Sequence, residues 1–543
     1  MVKKNCNIKY NKTTKKCKEK KQKSKMEKNR NEKVKKSQIS KSSESVVKIY
    51  DKKAVVDQYF PGRNSYHIYE DKDNVFNGKY FNCTLNKSNL SKNNNKFYII
   101  QLLEHDSDNS LILFTRWGRV GVSGQHDEKN VDKNSGPKLF MKKYKDKTIN
   151  HNYKEIYIDY EAEVKNKDTP DKKACGDKKK KYFKNSLSED VMDLIRIIYN
   201  KKMINDSLHE IGYDSKKMPL GKLSPITLKN GLNILKQIES ELRKSNPNRE
   251  NLIKFSSDFY TQIPHDFGFK KMSNFIIDSI DKVKEKIDMI SNLSDMKITL
   301  KILDNADSKE EYENQDEKQL NDYYKQLNCD IRSISKKEPI YSTLNKYLTA
   351  KISNKNSKDS FYYSSNSLYS LSLVKAYELN RHGEENKFKD LGNKKLLWHG
   401  TRMTNFVGIL SQGLRIAPPE APSSGYLYGK GVYFADMSQK SSYYCYPVNN
   451  MALILLGEVS LGKEDKRTTT DYNLPSTLKK NNNSIHALGN LEPSGGEFID
   501  GDVFVPNGDT IIKKNNSYGS YSEYIVYNVD QIRLRYLLQI KYN

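Results

Sequence analysis

Gly425–Asp436 reads GYLYGKGVYFAD, and its meaning comes from two strings that flank it, Leu396–Thr401 (LLWHGT) and Ser522–Tyr527 (SEYIVY). Together they set His399, Tyr433 and Glu523 in fixed order. His399 stands beside a glycine whose bare backbone can face a ligand. Tyr433 follows a turn containing Gly425, Gly429 and Gly431, and Glu523 opens a strand that is otherwise apolar or aromatic. Gly425-x3-Gly429-Lys430-Gly431 is one residue short of a Walker loop, and it has glycine where Ser or Thr should hold magnesium. No strand-G-x-G-x-x-G-helix occurs either, so a Rossmann domain is excluded.

At 543 residues the chain exceeds one ordinary core, and two to four domains are expected. Charged residues make up 30%, and the formal net charge of +27 is uneven. Residues 1–41 hold 17 Lys/Arg against 3 Glu, about half of the whole excess. Such a stretch cannot collapse onto a core, so residues 1–45 read as a disordered basic tail. It is either a solubilising tail of Lys/Asn-rich composition or a nuclear-import or DNA-gripping arm. Six scattered cysteines form no C-x-x-C pair, so neither a zinc finger nor a disulfide framework is predicted. The lysine-rich start lacks a signal peptide's apolar core, and no apolar run reaches eighteen residues. A soluble, intracellular protein is expected, with no membrane partner.

Order begins near Val46. FYIIQLL (97–103) and LILFTRW (111–117) read as a hairpin, with Leu111, Leu113, Thr115 and Trp117 on one face. Residues 161–185, carrying Thr-Pro and KKKK, read as a linker. Helical stripes follow: Val191, Leu194, Ile195 and Ile198 behind a Ser186–Glu189 capping box; Leu228, Leu232, Leu235, Ile238 and Leu242 behind Ser224-Pro225; then Ile276, Ile280, Val283, Ile287 and Ile290. From about Lys318 the texture turns to strands. MALILLGEVSLG (451–462) reads as buried, and 533–542 alternates as half-buried. The fold class predicted is multidomain α+β, and no 20–50-residue repeat is visible.

The three opening strings, with GILSQGLRIAPPEAP (Gly408–Pro422), resemble the catalytic domain of the poly(ADP-ribose) polymerases, the NAD-consuming ADP-ribosyltransferases. Arg116-Trp117-Gly118-Arg119 with NNNKFYIIQLLE (Asn93–Glu104) and FMKKYKDKT (Phe140–Thr148) resembles the WGR module, which binds DNA ends. Alone, that triplet would equally describe a core tryptophan flanked by surface arginines. PLGKLS (Pro219–Ser224) and FYTQIPHDFG (Phe259–Gly268) look like the family's regulatory helical domain, and His265 there reads as a turn cap and not a base. The implied layout is a β-rich WGR domain at 46–160, a linker at 161–185, an all-α bundle at 186–310, and an ADP-ribosyltransferase domain of two packed antiparallel sheets at 318–543. Without zinc fingers, it is similar to the short, second type of DNA-dependent member.

The resemblance implies roles by position. Glu523 would stabilise the oxocarbenium-like ribose and polarise an acceptor hydroxyl. His399, Thr401, Asn405 and Arg415 would hold the adenosine side of NAD. Gly400 and Ser441 would hold the carboxamide, with Tyr433 and Tyr444 stacking on the nicotinamide. Asn95, Lys96, Trp117 and Arg119 would meet DNA, and Asp295 would be regulatory. NAD is implied as substrate, with no metal, and the implied setting is the nucleus. The implied partners are broken or nicked DNA, acceptors such as histones and the enzyme itself, and an accessory factor completing the acceptor site. Two strings depart from the family: NNSIHALG (Asn482–Gly489) changes positions 483 and 486, and Asn345–Tyr363 lacks the family's Thr-His-Ala run; separately, Ser291 replaces an acidic residue. A DNA-binding scaffold and a mono-ADP-ribosyltransferase are the competing readings; the intact His-Tyr-Glu set speaks against both.

Overall fold

The computed structural model describes residues 55–71, 80–159, 182–210, 222–305, 314–350, 369–423, 425–513, 517 and 519–543. The basic tail and residues 161–181 of the expected linker lie outside them. The chain divides into two compact units, residues 1–82 with 100–115 and 127–144, and residues 83–99 with 116–126 and 145–543.

The N-terminal elements are β1 (Tyr66–Ile68), β2 (Asn82–Asn89), β3 (Asn94–His105), β4 (Leu111–Arg119), β5 (Gln125–Val131), α1 (Gly136–Lys145) and β6 (Lys154–Ile156). Their strands join in the order β5-β4-β3-β2-β6, with β1 on β3. Within the first unit, Val56, Phe60, Ile68, Leu103 and Phe114 form a small core, with Phe60 edge-on to Phe114 at 5.3 Å. Gln101 ties the incoming chain to this core. Its amide donates to Val55 O and Asn82 Oδ1 and accepts from Asp57 N.

The second unit continues with β7 (Ile158–Asp159), α2 (Glu189–Ile198), α3 (Lys201–Glu210), β8 (Lys222–Leu223), α4 (Pro225–Leu242), α5 (Arg249–Gln262), α6 (Ile280–Asn305) and α7 (Gln315–Lys325). Ser224 caps α4 as expected, accepting from Thr227 N with Pro225 in the first turn. The cap of α2 is Ser188, not Ser186: Ser188 is extended and accepts from Val191 N. Ile276 precedes its helix, which starts at Ile280. α7 was hidden by its polar sequence, QDEKQLNDYYK; it buries Leu320 and Tyr323, the latter stacked on Tyr199 at 4.6 Å.

Then come β9 (Cys329–Ser333), α8 (Pro339–Leu348), β10 (Leu371–Arg381), β11 (Lys394–Gly400), α9 (Phe406–Gln412), β12 (Val432–Phe434), α10 (Ser438–Ser442), β13 (Met451–Ser460), β14 (Glu464–Arg467), β15 (Ser484–Ala487), β16 (Leu491–Pro493), β17 (Glu497–Ile499), β18 (Val503–Val505), β19 (Thr510–Ile512), β20 (Glu523–Val526) and β21 (Ile532–Tyr542). A seven-stranded sheet runs β17-β18-β11-β13-β21-β10-β9, and a four-stranded sheet runs β12-β20-β15-β14. Pairing is mostly antiparallel, but β11–β18 and β14–β15 are parallel. β13 is buried on both faces, which explains its unbroken apolar run. Ala452, Ile454 and Leu456 enter one cluster; Leu453 and Leu455 enter another, shared with Phe406 and Leu410 of α9 and with Leu235, Ile263 and Met296 of the bundle.

Candidate active site

The two sheets meet where Trp398 and Ala435 exchange both backbone hydrogen bonds, at 2.8 and 3.0 Å. That bridge places His399, at the end of β11, beside Tyr433 of β12. His399 Nδ1 lies 2.9 Å from the Tyr433 carbonyl. A carbonyl can only accept, so Nδ1 carries the proton and Nε2 keeps its lone pair. Desolvation in the cleft holds the imidazole pKa below its ordinary 6.5, which keeps the ring neutral. Such a ring orients a hydroxyl by accepting from it.

Gly400 admits no side chain, because a Cβ there would sit 1.7 Å from Ser441 O. The bare backbone expected at that position is therefore a steric necessity. Ser441 Oγ donates to Trp398 O at 3.0 Å, which leaves its lone pairs to accept an amide N–H. Tyr433 Oη donates to Gly429 O at 2.7 Å and accepts from Tyr428 N at 2.9 Å. Burial raises its pKa far above the usual phenol range, so the tethered ring stays neutral. Tyr444 is half exposed.

β20 pairs with β12 through Tyr433↔Ile525, which brings Glu523 to the mouth of the same cleft. Its carboxylate takes Lys440 Nζ at 2.9 Å. Burial disfavours the ammonium, but Glu523 outweighs it and raises the Lys440 pKa. Lys440 also lies 5.7 Å from the Tyr444 ring. Sequence reading missed this lysine; its signal was the place directly before Ser441 in DMSQKSSYY.

The residues expected on the adenosine side are brought together and are already engaged. Asn405 Nδ2 donates to Thr401 Oγ1 at 2.9 Å and to Asn292 Oδ1 of α6 at 3.0 Å. Arg415 is paired with Asp295 of α6, and burial pulls the guanidinium pKa down. Ser291 is exposed. The loop carrying Pro418–Gly431 is held from α4: Glu239 accepts Ser423 N at 3.0 Å and Ser423 Oγ at 3.1 Å, and Lys229 meets Glu420 at 2.6 Å.

Away from the cleft, Trp117 stacks on Tyr98 at 5.8 Å, and Lys96 is exposed. Asn95 departs from expectation. It is fully buried, and its amide donates to His265 O at 2.8 Å and accepts from Ser88 Oγ, so it cannot reach DNA. Arg119 is held inside the fold, with Nη2 shielded from solvent. Its Nε donates to Gly268 O at 2.8 Å and Nη1 to Asn93 O at 3.3 Å. His265 is a buried turn residue: Nδ1 donates to Ile263 O at 2.7 Å, and burial lowers its pKa to about 3. The changed string NNSIHALG is also structural. His486 stacks on Tyr524 at 4.2 Å and bonds Glu464 at 3.1 Å, while Asn483 accepts Lys463 N at 3.0 Å.

Three family models match the chain: the WGR domain over residues 81–158, the poly(ADP-ribose) polymerase regulatory domain over 185–324, and the poly(ADP-ribose) polymerase catalytic domain over 351–542. Poly [ADP-ribose] polymerase 2-A of Oryza sativa subsp. japonica is 38% identical over 517 residues, spanning 90% of this chain and 74% of its own. Poly [ADP-ribose] polymerase 2 of Homo sapiens is 34% identical over 531 residues, spanning 92% and 86%. Poly [ADP-ribose] polymerase 1 of Xenopus laevis is 34% identical, but only 49% of its length is covered.

Proposed function

This chain belongs to the poly(ADP-ribose) polymerase family, and from that membership we infer which of its residues do the chemistry and what controls them. It is an ADP-ribosyltransferase that consumes NAD and builds poly(ADP-ribose). The observation carrying the assignment is the convergence of His399, Tyr433 and the Glu523–Lys440 pair on one cleft.

The nicotinamide carboxamide would bond the Gly400 backbone and Ser441 Oγ, with the ring against Tyr433 and Tyr444. His399 Nε2 would accept the adenosine-ribose 2′-hydroxyl. As the C1′–N bond breaks, its electron pair leaves with nicotinamide, and positive charge grows on the ribose. Glu523, held by Lys440, stabilises that charge through the nicotinamide-ribose 2′-hydroxyl. The incoming acceptor oxygen bonds C1′, and its proton passes toward Glu523.

Asn292 and Asp295 of α6 engage Asn405 and Arg415, the partners assigned to adenosine. We read this as a block on NAD that broken or nicked DNA relieves after binding through Trp117, Lys96 and Arg119. Residues 46–160 would serve as the DNA module, 186–310 as the regulatory body and 318–543 as the transferase. The bundle's helical character continues to Lys325. Histones and the chain itself as acceptors, an accessory factor at the acceptor site, and nuclear residence belong to the same reading. Among the described residues no group of His, Cys, Asp and Glu could hold a metal, and no helix is long and apolar enough to cross a membrane. The test is incubation with labelled NAD, with and without 5′-phosphorylated broken DNA. DNA-stimulated polymer on a gel supports the reading; no labelled product under either condition overturns it.

A further inference from the structure

The turn that follows α5 carries an aromatic residue that no part of the reading above uses. Phe269 is 93% exposed, in a chain whose other large apolar residues are mostly covered. The turn beneath it is rigid. Phe267, two residues earlier, is buried, with its ring stacked on His265 at 5.8 Å and against Phe275 at 4.7 Å. Gly268 takes φ +55°, and Asp266 Oδ1 accepts its N–H at 2.8 Å, so the chain reverses and Phe269 is thrown outward.

This turn is fastened to the WGR strands. Arg119 donates to Gly268 O, Asn95 to His265 O, and Met272 N to Asn93 Oδ1 at 3.1 Å. Gly121 packs so tightly on Asp266 that a Cβ there would approach to 2.4 Å. Trp117 and Arg119 stand two residues apart on β4 and so share a face, which puts Phe269 one residue beyond the carbonyl that Arg119 holds. Lys270 and Lys271 follow it, both exposed, as are Lys92 in the β2–β3 turn and Lys96 in β3. None of these four lysines has an ion-pair partner among the described residues.

We propose that the Phe269-Lys270-Lys271 turn is a second DNA contact, made by the helical region itself. Phe269 stacks on the exposed base or deoxyribose of a broken end, and Lys270 and Lys271 take the adjoining phosphates. The pattern, a rigid aromatic platform rimmed by unpaired lysines, is what single-stranded or terminal nucleotides recognise. Its positive charge complements a polyanion, and the exposed ring beside it suits a stacked base. The proposal rests on the reading that the Trp117 face receives DNA. It adds that the ligand touches the regulatory bundle directly.

The test measures binding of full-length protein to a fluorescent duplex with a 5′-phosphorylated, two-nucleotide overhang, across a salt series. Phe269→Ala should weaken binding about 5- to 100-fold, while Phe269→Tyr restores it. Lys270→Ala with Lys271→Ala should lower the salt slope by about two phosphate contacts. Melting temperatures of all variants should match the parent, since the side chains are exposed. Wild-type affinity and salt slope in these variants, with Trp117→Ala still defective, overturns the proposal alone. Wild-type affinity in Trp117→Ala as well removes the underlying reading of the WGR face.

Discussion

At the scale of single residues, the proposed chemistry turns on Glu523 and its partner Lys440. At 2.9 Å the ammonium fixes where the carboxylate points. Glu523→Gln keeps the shape but removes the charge, so we expect retained NAD binding with loss of chain elongation. A charge-assisted contact of this kind contributes roughly 2–4 kcal/mol to a transition state. Polymer of wild-type length made at wild-type rate would refute the role. Lys440→Met should leave the glutamate charged but unanchored, lowering kcat by less than Glu523→Gln does while KM for NAD changes little. Turnover equal to wild type in that variant would show the pair to be incidental. The glutamate was legible in the sequence because it stands in a string of distinctive neighbours. The lysine was not, because its partner lies 83 residues away and only the β12–β20 pairing brings them together. Asn95 erred the other way: the resemblance placed it on DNA, and burial shows it spent on His265 and Ser88.

At the scale of elements, the proposed control rests on α6. α6 meets the cleft through Asn292 and Asp295 on successive turns, so a small shift of one helix would release both Asn405 and Arg415 together. Asp295→Ala should therefore raise activity without DNA, by a factor in the 5- to 150-fold range typical of allosteric coupling. The assay is NAD turnover in nuclease-treated protein; unchanged basal turnover would remove Asp295 from the block. The turn after α5 makes a separate prediction about pH. His265 titrates near the ordinary 6.5 when unfolded but only at about 3 when folded. Above 6.5 both states are neutral and it has no effect. Below 6.5 the unfolded chain binds one more proton, so stability falls as pH falls, by about 2 kcal/mol from pH 6.5 to 5. Denaturant melts at pH 7 and pH 5 should show at least that loss; a flat profile would mean His265 protonates in place. The stripes of α2, α4 and α6 were readable from their 3.6-residue apolar period. α7 was not, since one buried Leu and one buried Tyr among polar residues give too faint a period.

In the second unit as a whole, the regulatory bundle and the catalytic sheets share one apolar cluster, running from Leu235, Ile263 and Met296 to Leu453 and Leu455. Breaking one ion pair releases a block built on such a core only in part; full opening must loosen helix packing as well, which makes the closed state cooperative. Removal of the bundle should thus have two measurable effects. NAD turnover should become high and independent of DNA, because Asn405 and Arg415 are freed. The melting temperature should fall, because Phe406, Leu410 and the inner face of β13 lose cover. The deletion should run from 186 to 325 and not stop at 310, since Tyr323 of α7 stacks on Tyr199 and would be stranded without it. Circular dichroism must first show the shortened chain folded. A folded deletion protein that stays silent without DNA would refute the block. If instead the intact protein already turns over NAD at the deletion's rate, the exposed Ser291, standing where the resembled domain has a second acid, is the first residue to restore: Ser291→Asp should then lower basal turnover and bring back DNA dependence.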